Sequence, residues 1–165
     1  MNEAINTINW PEMLTLNFTV SDLTKTNQKA SNTPHSPVVY ANLRQVALNI
    51  LEPAYAYFKI RPKINSGYRS PAVNKLVGGS ATSQHCKGEA VDFEIPGVRN
   101  YDLACWVRDT LNFDQLILED YVPSLPNSGW VHCSYKSDLR FKANTKFKGS
   151  SIYHNDIILC VERKN

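Results

Sequence analysis

The chain has 165 residues with three Trp and eight Tyr, so it is long enough to bury a core and is unlike a disordered protein. Its net charge of +3, without a basic run, argues against nucleic acid as a partner, although it favours attraction to an anionic polymer. No apolar run approaches the roughly 18 residues of a membrane span, and residues 1–6 lack the pattern of a signal peptide. We therefore expect a chain that is synthesised in the cytoplasm, acts as a monomer and does not bind membranes.

Two helices are predicted in the first third of the chain. The Ser21-Asp22 pair is the expected N-cap of a short helix. Ser36 followed by Pro37 predicts the start of a longer helix over residues 38–57, because its apolar residues recur at helical spacing. Pro53 is expected to kink or restart this helix.

The rest of the chain alternates between predicted strands and helices. Pro71 opens a short helix that ends at Gly78, and another helix begins at Arg99 or Asn100 and runs through Leu111. Residues 120–129 and the Lys-rich residues 136–151 read as loops. This order predicts an α+β fold in which an antiparallel sheet is flanked by helices. Apolar segments indicate five strands, at residues 64–68, 90–95, 114–119, 129–135 and 156–161.

Residues 83–92 contain the first candidate site. His85 and Asp92 stand seven residues apart in this run, and His132 follows downstream in a strand. One carboxylate and two imidazoles suit Zn²⁺ and leave a fourth coordination position open, as catalytic zinc sites do. The sequence therefore predicts one zinc ion per chain, bound by His85, Asp92 and His132, and a hydrolase.

The side-chain parity of the strands adds a candidate base. Side chains alternate between the two faces of a strand, so Gln115 shares a face with Glu119, and Trp130 shares one with His132. This parity allows Asp92, Glu119 and His132 to point into one cleft. We predict that Glu119 is the general base that takes a proton from water during amide hydrolysis.

Arg69 lies in a predicted turn, where it has two interpretations. Near a metal, its guanidinium can stabilise an oxyanion or clamp a substrate carboxylate. Away from one, it is a solvated loop residue. The cysteines Cys86 and Cys133 each follow a candidate ligand and are read as small, buried, apolar side chains.

Three motifs together resemble a known family. The spacing of Ser83, His85, Gly88, Ala90 and Asp92 resembles the signature of the zinc D-Ala-D-Ala carboxypeptidases and endopeptidases, and the resemblance extends to residues 66–70, to Asn74 and to residues 130–134. It implies the hedgehog/DD-peptidase fold, zinc bound by His85, Asp92 and His132, and peptidoglycan as the substrate. It also implies that Arg69 lies at the substrate end of the site and that Ser83 supports the ligand loop or the substrate.

One departure from the family concerns the base. Many relatives carry an acid three residues before the second histidine, where this chain has Gly129. The Gln-Leu-Ile-x-Glu segment at residues 115–119 is similar to a pattern in the phage endolysin-like branch. It favours Glu119 as the base and Gln115 as a substrate contact. Glu89 and Glu94 are the alternatives.

The resemblance leads to an expected function. A single zinc peptidase domain would span residues 1–165, with residues 1–35 as an N-terminal cap and residues 36–165 as the catalytic core. It would cut an amide bond in peptidoglycan stem peptides or cross-links, as a carboxypeptidase or a murein endopeptidase. A phage endolysin of this kind acts on the cell wall after release from the cytoplasm. The alternatives are a non-catalytic, zinc-stabilised wall-binding module and a virion protein that opens the wall.

Overall fold

A computed structural model describes residues 11–34, 36–125 and 127–159 of the chain. The segment in which no signal peptide is predicted, residues 1–6, lies outside the described residues, as does the end of the predicted strand at residues 156–161. None of the helices in the described part of the chain is both long enough and apolar enough to cross a membrane.

The fold is built on one sheet of six strands in the order β1-β2-β4-β3-β5-β6. Every neighbouring pair is antiparallel except β3 and β5, which are parallel. The predicted α+β fold class is confirmed, with this one parallel pair added. The strands are β1 (Lys63–Ser66), β2 (Ala90–Glu94), β3 (Gln115–Tyr121), β4 (Trp130–Ser134), β5 (Lys142–Phe147) and β6 (Tyr153–Asn155).

Helices flank the sheet and have recognisable start signals. Ser36 caps α2 and Pro37 is its first residue, as predicted, and Ser70 and Pro71 play the same parts in α4. Pro53 lies in the first turn of α3, where α-helix resumes after a π-helical turn at Ala47–Leu51, so the helix restarts at Pro53 as predicted. The helices are α1 (Val20–Thr24), α2 (Pro37–Val46), α3 (Glu52–Phe58), α4 (Pro71–Leu76) and α5 (Asn100–Thr110).

The two faces of the sheet differ in chemistry. Val91, Phe93, Val131 and Cys133 are buried on one face, which α2 and α5 cover. Each large apolar side chain buried in this way contributes roughly 1.5–3 kcal/mol. The opposite face carries the polar residues of β2, β3 and β4, and the site lies there.

Three sequence predictions are wrong in detail. Helix α1 is capped by Thr19 rather than by Ser21-Asp22, because the Asp22 side chain accepts the Thr19 backbone N–H in a capping box. The Lys-rich residues 136–151 are not all loop, since they contain β5. The last described strand is β6 at Tyr153–Asn155, ahead of the predicted strand at residues 156–161.

Candidate metal centre

A row of side chains crosses the polar face of the sheet. Asp92 on β2 pairs in register with His132 on β4, and His132 pairs with Ile117 on β3. Residues paired in register lie on the same face, so Asp92 and His132 are direct neighbours. Two pairs further along, Glu119 lies opposite Trp130 on the same face. The arrangement has the parity predicted from the sequence.

His85 reaches this row from a short 3₁₀ turn, Gln84–Lys87. Ser83 caps the turn by accepting the His85 backbone N–H, and Gly88 ends it with a φ of 72°, a conformation that glycine adopts readily. The His85 Nδ1 lies 2.7 Å from the Gly67 carbonyl oxygen. That oxygen can only accept a hydrogen bond, so Nδ1 carries the proton and Nε2 keeps its lone pair. Nε2 faces Asp92 Oδ1 at 3.3 Å.

These three side chains fit a zinc ion. One ligand atom from each of His85, Asp92 and His132 lies within 4.8 Å of the others. Tetrahedral zinc with bonds of about 2.0–2.1 Å spaces its ligand atoms about 3.3 Å apart. The distance from His85 Nε2 to Asp92 Oδ1 matches this spacing, and His132 Nδ1 lies 2.9 Å from the same oxygen. The triad is therefore positioned to bind a metal ion.

The protonation states of the site also suit metal binding. Burial lowers the pKa of His85, which favours its neutral form. Burial alone would raise the pKa of Asp92, but His85 and His132 hold it well below its ordinary value. Metal ligands must be deprotonated, and these pKa shifts favour the deprotonated forms of both residues.

Arg69 contacts the metal centre through Asp92. Its guanidinium donates to Asp92 Oδ2 over 2.7 Å and to Ser66 Oγ over 2.8 Å, so the carboxylate is held with its other oxygen toward the histidines. The interpretation of Arg69 as a solvated loop residue does not describe this contact, because only 21% of its side chain is exposed.

Glu119 lines the same cleft as the triad. Burial raises the pKa of its carboxyl, and Lys146 opposes this shift. The two alternative bases, Glu94 and Glu89, differ in their position relative to the cleft. Glu94 accepts hydrogen bonds from Lys63 and Asn65 and does not line the cleft. Glu89 does line the cleft, next to Gln84.

The cleft has a volume of about 680 Å³, and Ser83 and Gln115 also form part of its wall. A second cavity of about 420 Å³ shares Arg69, Asp92 and Trp130 with it. All three residues of the triad line the first cavity, and Asp92 also borders the second. Apolar side chains of the second cavity include Tyr68, Val73 and Val77.

Sequence reasoning missed two groups of residues in or behind the wall of the cleft. Asp114 is buried just before β3 and does not line the cleft, but it accepts hydrogen bonds from Arg140 and from Gln84, the residue before His85, and both of these do. Lys146 and Tyr153 come from β5 and β6 and face Glu119. The alternation of polar and apolar residues in Lys142–Phe147 is the signal that could have revealed β5.

Comparison with known proteins agrees with this geometry. The sequence model of the family described as Peptidase M15 matches residues 16–134, well over half of the chain, and the match includes all three residues of the triad and Glu119. No curated protein matches the chain. The match and the metal-binding triad together show that the chain belongs to the peptidase M15 family of zinc metallopeptidases.

Proposed function

We propose that the protein is a zinc-dependent murein endopeptidase, which hydrolyses an amide bond inside the peptide cross-links of peptidoglycan. The observation that supports this proposal is a second cavity beside the cleft of the triad, which shares Arg69, Asp92 and Trp130 with it. A carboxypeptidase needs a pocket that is closed beyond the scissile bond. An endopeptidase needs room for peptide on both sides.

In this proposal His85, Asp92 and His132 hold the zinc ion. When bound, zinc polarises a carbonyl group and lowers the pKa of a water molecule to about 7. Arg69 and Ser83 position two of the zinc ligands. Arg69 orients the Asp92 carboxylate, and Ser83 shapes the turn that carries His85. Both residues also line the cleft, where they and Gln115 can contact the peptide.

Glu119 is the proposed general base. Its carboxylate takes a proton from water as the water oxygen bonds to the carbonyl carbon. It then delivers that proton to the amide nitrogen as the C–N bond breaks, and Glu119 is left ionised as before. A carboxyl whose pKa is raised by burial is better suited to both transfers at neutral pH.

Cleavage of defined muropeptides tests the proposal. The zinc-loaded protein is expected to convert cross-linked dimers into monomers, identified by mass, with one new amine per bond. Release of free alanine from monomeric pentapeptides, with dimers intact, would indicate a carboxypeptidase instead. Binding to purified sacculi without any release of amines would indicate a wall-binding module.

The variant Glu119→Gln tests the base. Loss of general-base catalysis lowers kcat by about 10²–10⁴-fold, while the zinc content stays the same. If the variant keeps wild-type activity, Glu119 is not the base.

The endolysin role is a separate part of the proposal, supported by the resemblance of residues 115–119 to the phage branch. Cells that produce the protein together with a membrane-perforating protein are expected to lyse, and cells with the Glu119→Gln variant are not. Equal lysis by the variant would contradict this role.

A further inference from the structure

An irregularity in the parallel pairing of β3 and β5 lies beside the proposed base. Leu118 pairs with Thr145 and Tyr121 pairs with Phe147, so two residues of β3 oppose Lys146 alone. The backbone of Asp120 takes a left-handed φ of 49° at this point. Such a bulge re-aims side chains that would otherwise alternate between faces. As a result, Glu119 and its neighbour Asp120 both line the cleft.

Lys146 contacts both of these carboxylates. Its Nζ lies 3.5 Å from Glu119 Oε2 and also donates a hydrogen bond to Asp120 Oδ1. Only 21% of the Lys146 side chain and 16% of the Glu119 side chain are exposed, so water screens this ion pair less than it screens a surface pair. Without the ammonium group, two adjacent carboxylates would repel each other in a half-buried cleft.

Tyr153 approaches Glu119 from the next strand. It pairs in register with Lys146 and lines the cleft together with Glu119, and burial and the nearby charge of Glu119 raise the pKa of its hydroxyl. A glutamate side chain has several rotatable bonds, and partners on two different strands restrict them. Five charged or titratable groups surround Glu119. Asp120 is its neighbour on β3, and the other four come from four further strands: Asp92, His132, Lys146 and Tyr153.

We propose that Lys146 and Tyr153 are positioning residues, which hold the Glu119 carboxylate in the orientation that proton transfer requires. This inference rests on the proposed role of Glu119. Both residues lie beyond residue 134, where the match to the peptidase M15 family ends. Strands β5 and β6 would thus complete the catalytic arrangement.

A double-mutant cycle with the zinc-loaded protein tests the inference. In Lys146→Met, kcat for muropeptide cleavage is expected to fall about 10–100-fold with KM within about twofold, because the base is misplaced. The kcat of Lys146→Arg should be about tenfold higher than that of Lys146→Met. Tyr153→Phe should lower kcat about fivefold, because the hydroxyl beside the Glu119 carboxylate is removed.

Glu119→Gln supplies the second arm of the cycle. If Lys146 acts through Glu119, adding Lys146→Met to Glu119→Gln should lower kcat by less than twofold, whereas independent effects would multiply. Lys142→Met is the matched control, because Lys142 is an exposed lysine of the same strand that does not line the cleft. Its kcat should be that of the wild type.

The outcomes separate this inference from the proposed function. Full multiplication of the effects in the double variant, or a raised KM with an unchanged kcat in Lys146→Met, would overturn the positioning role. An active Glu119→Gln variant would instead overturn the proposed base. Zinc content and thermal unfolding identify any variant that fails to fold. If Lys146→Met fails to fold, Tyr153→Phe, at a half-exposed position, takes its place in the cycle with Glu119→Gln.

Discussion

Gly129 packs against the backbone of Glu119, and only a glycine fits there. A β-carbon at position 129 would collide with the Glu119 carbonyl oxygen, and the φ of Gly129 is 69°. The acid that many zinc D-Ala-D-Ala peptidases carry at this position therefore has no room in this chain. The proposed base, Glu119, comes from β3 instead, opposite the first residue of β4.

Gly129→Ala should destabilise the fold by about 2–4 kcal/mol, the sum of left-handed strain and overpacking. Gly97→Ala is the control, because Gly97 also has a positive φ, of 82°, but has open space around its α-carbon. It should cost only about 1–2 kcal/mol, from strain alone. Denaturant unfolding measures both, and equal costs would contradict the proposed collision.

Zinc should bind in a ratio of about one ion per chain and should stabilise the fold. A free zinc concentration of a thousand times the Kd stabilises the folded state by about 4 kcal/mol, so a chelator should lower the Tm. His132→Ala should lose most of the metal in elemental analysis, whereas His154→Ala, on β6, should keep it. Full zinc occupancy in the His132 variant would contradict the ligand assignment.

Arg69→Lys should weaken zinc binding about 10–100-fold, because lysine cannot reproduce the two-point contact of the guanidinium with Asp92 and Ser66. Competition with a chromophoric chelator measures the affinity. Arg61→Lys alters a comparable Arg–Asp pair with Asp22 and should leave the zinc affinity unchanged. The positioning role of Arg69 fails if both variants bind zinc equally.

Asp114 should make the stability of the protein depend on pH in the acid range. Burial raises the pKa of this carboxyl, but hydrogen bonds from Arg140 and Gln84 and the charge of Arg140 hold it well below its ordinary value. A carboxyl with a lowered pKa stabilises the fold above its unfolded value of about 3.9, and this contribution disappears as the pH falls toward the folded value.

The comparison of wild type with Asp114→Asn measures this effect. The difference in the free energy of unfolding should be constant above about pH 5 and should shrink below about pH 4. Above pH 5 it should amount to roughly 1–3 kcal/mol, the cost of leaving buried partners unsatisfied. A difference that grows on acidification would have the wrong sign and would exclude this origin.

The sequence by itself determined the ligand set and the faces of the strands. His85 and Asp92 belong to one local run, and Asp92 and His132 lie on strands whose alternation of polar and buried residues is visible in the sequence. A period of two fixes the direction of each side chain without knowledge of the rest of the fold. The α+β class and the starts of α2 and α4 likewise followed from local signals in the sequence.

Only the tertiary structure decided what surrounds Glu119. The pairing of β3 with β5 joins residues far apart in the chain and brings Lys146 beside Glu119, and the bulge adds Asp120 to the same cleft. Register and bulges depend on such long-range pairing, which leaves no periodic signal in the sequence. The sequence marked Gly129 as a departure from the family. The packing of Gly129 against the Glu119 backbone gives the physical reason.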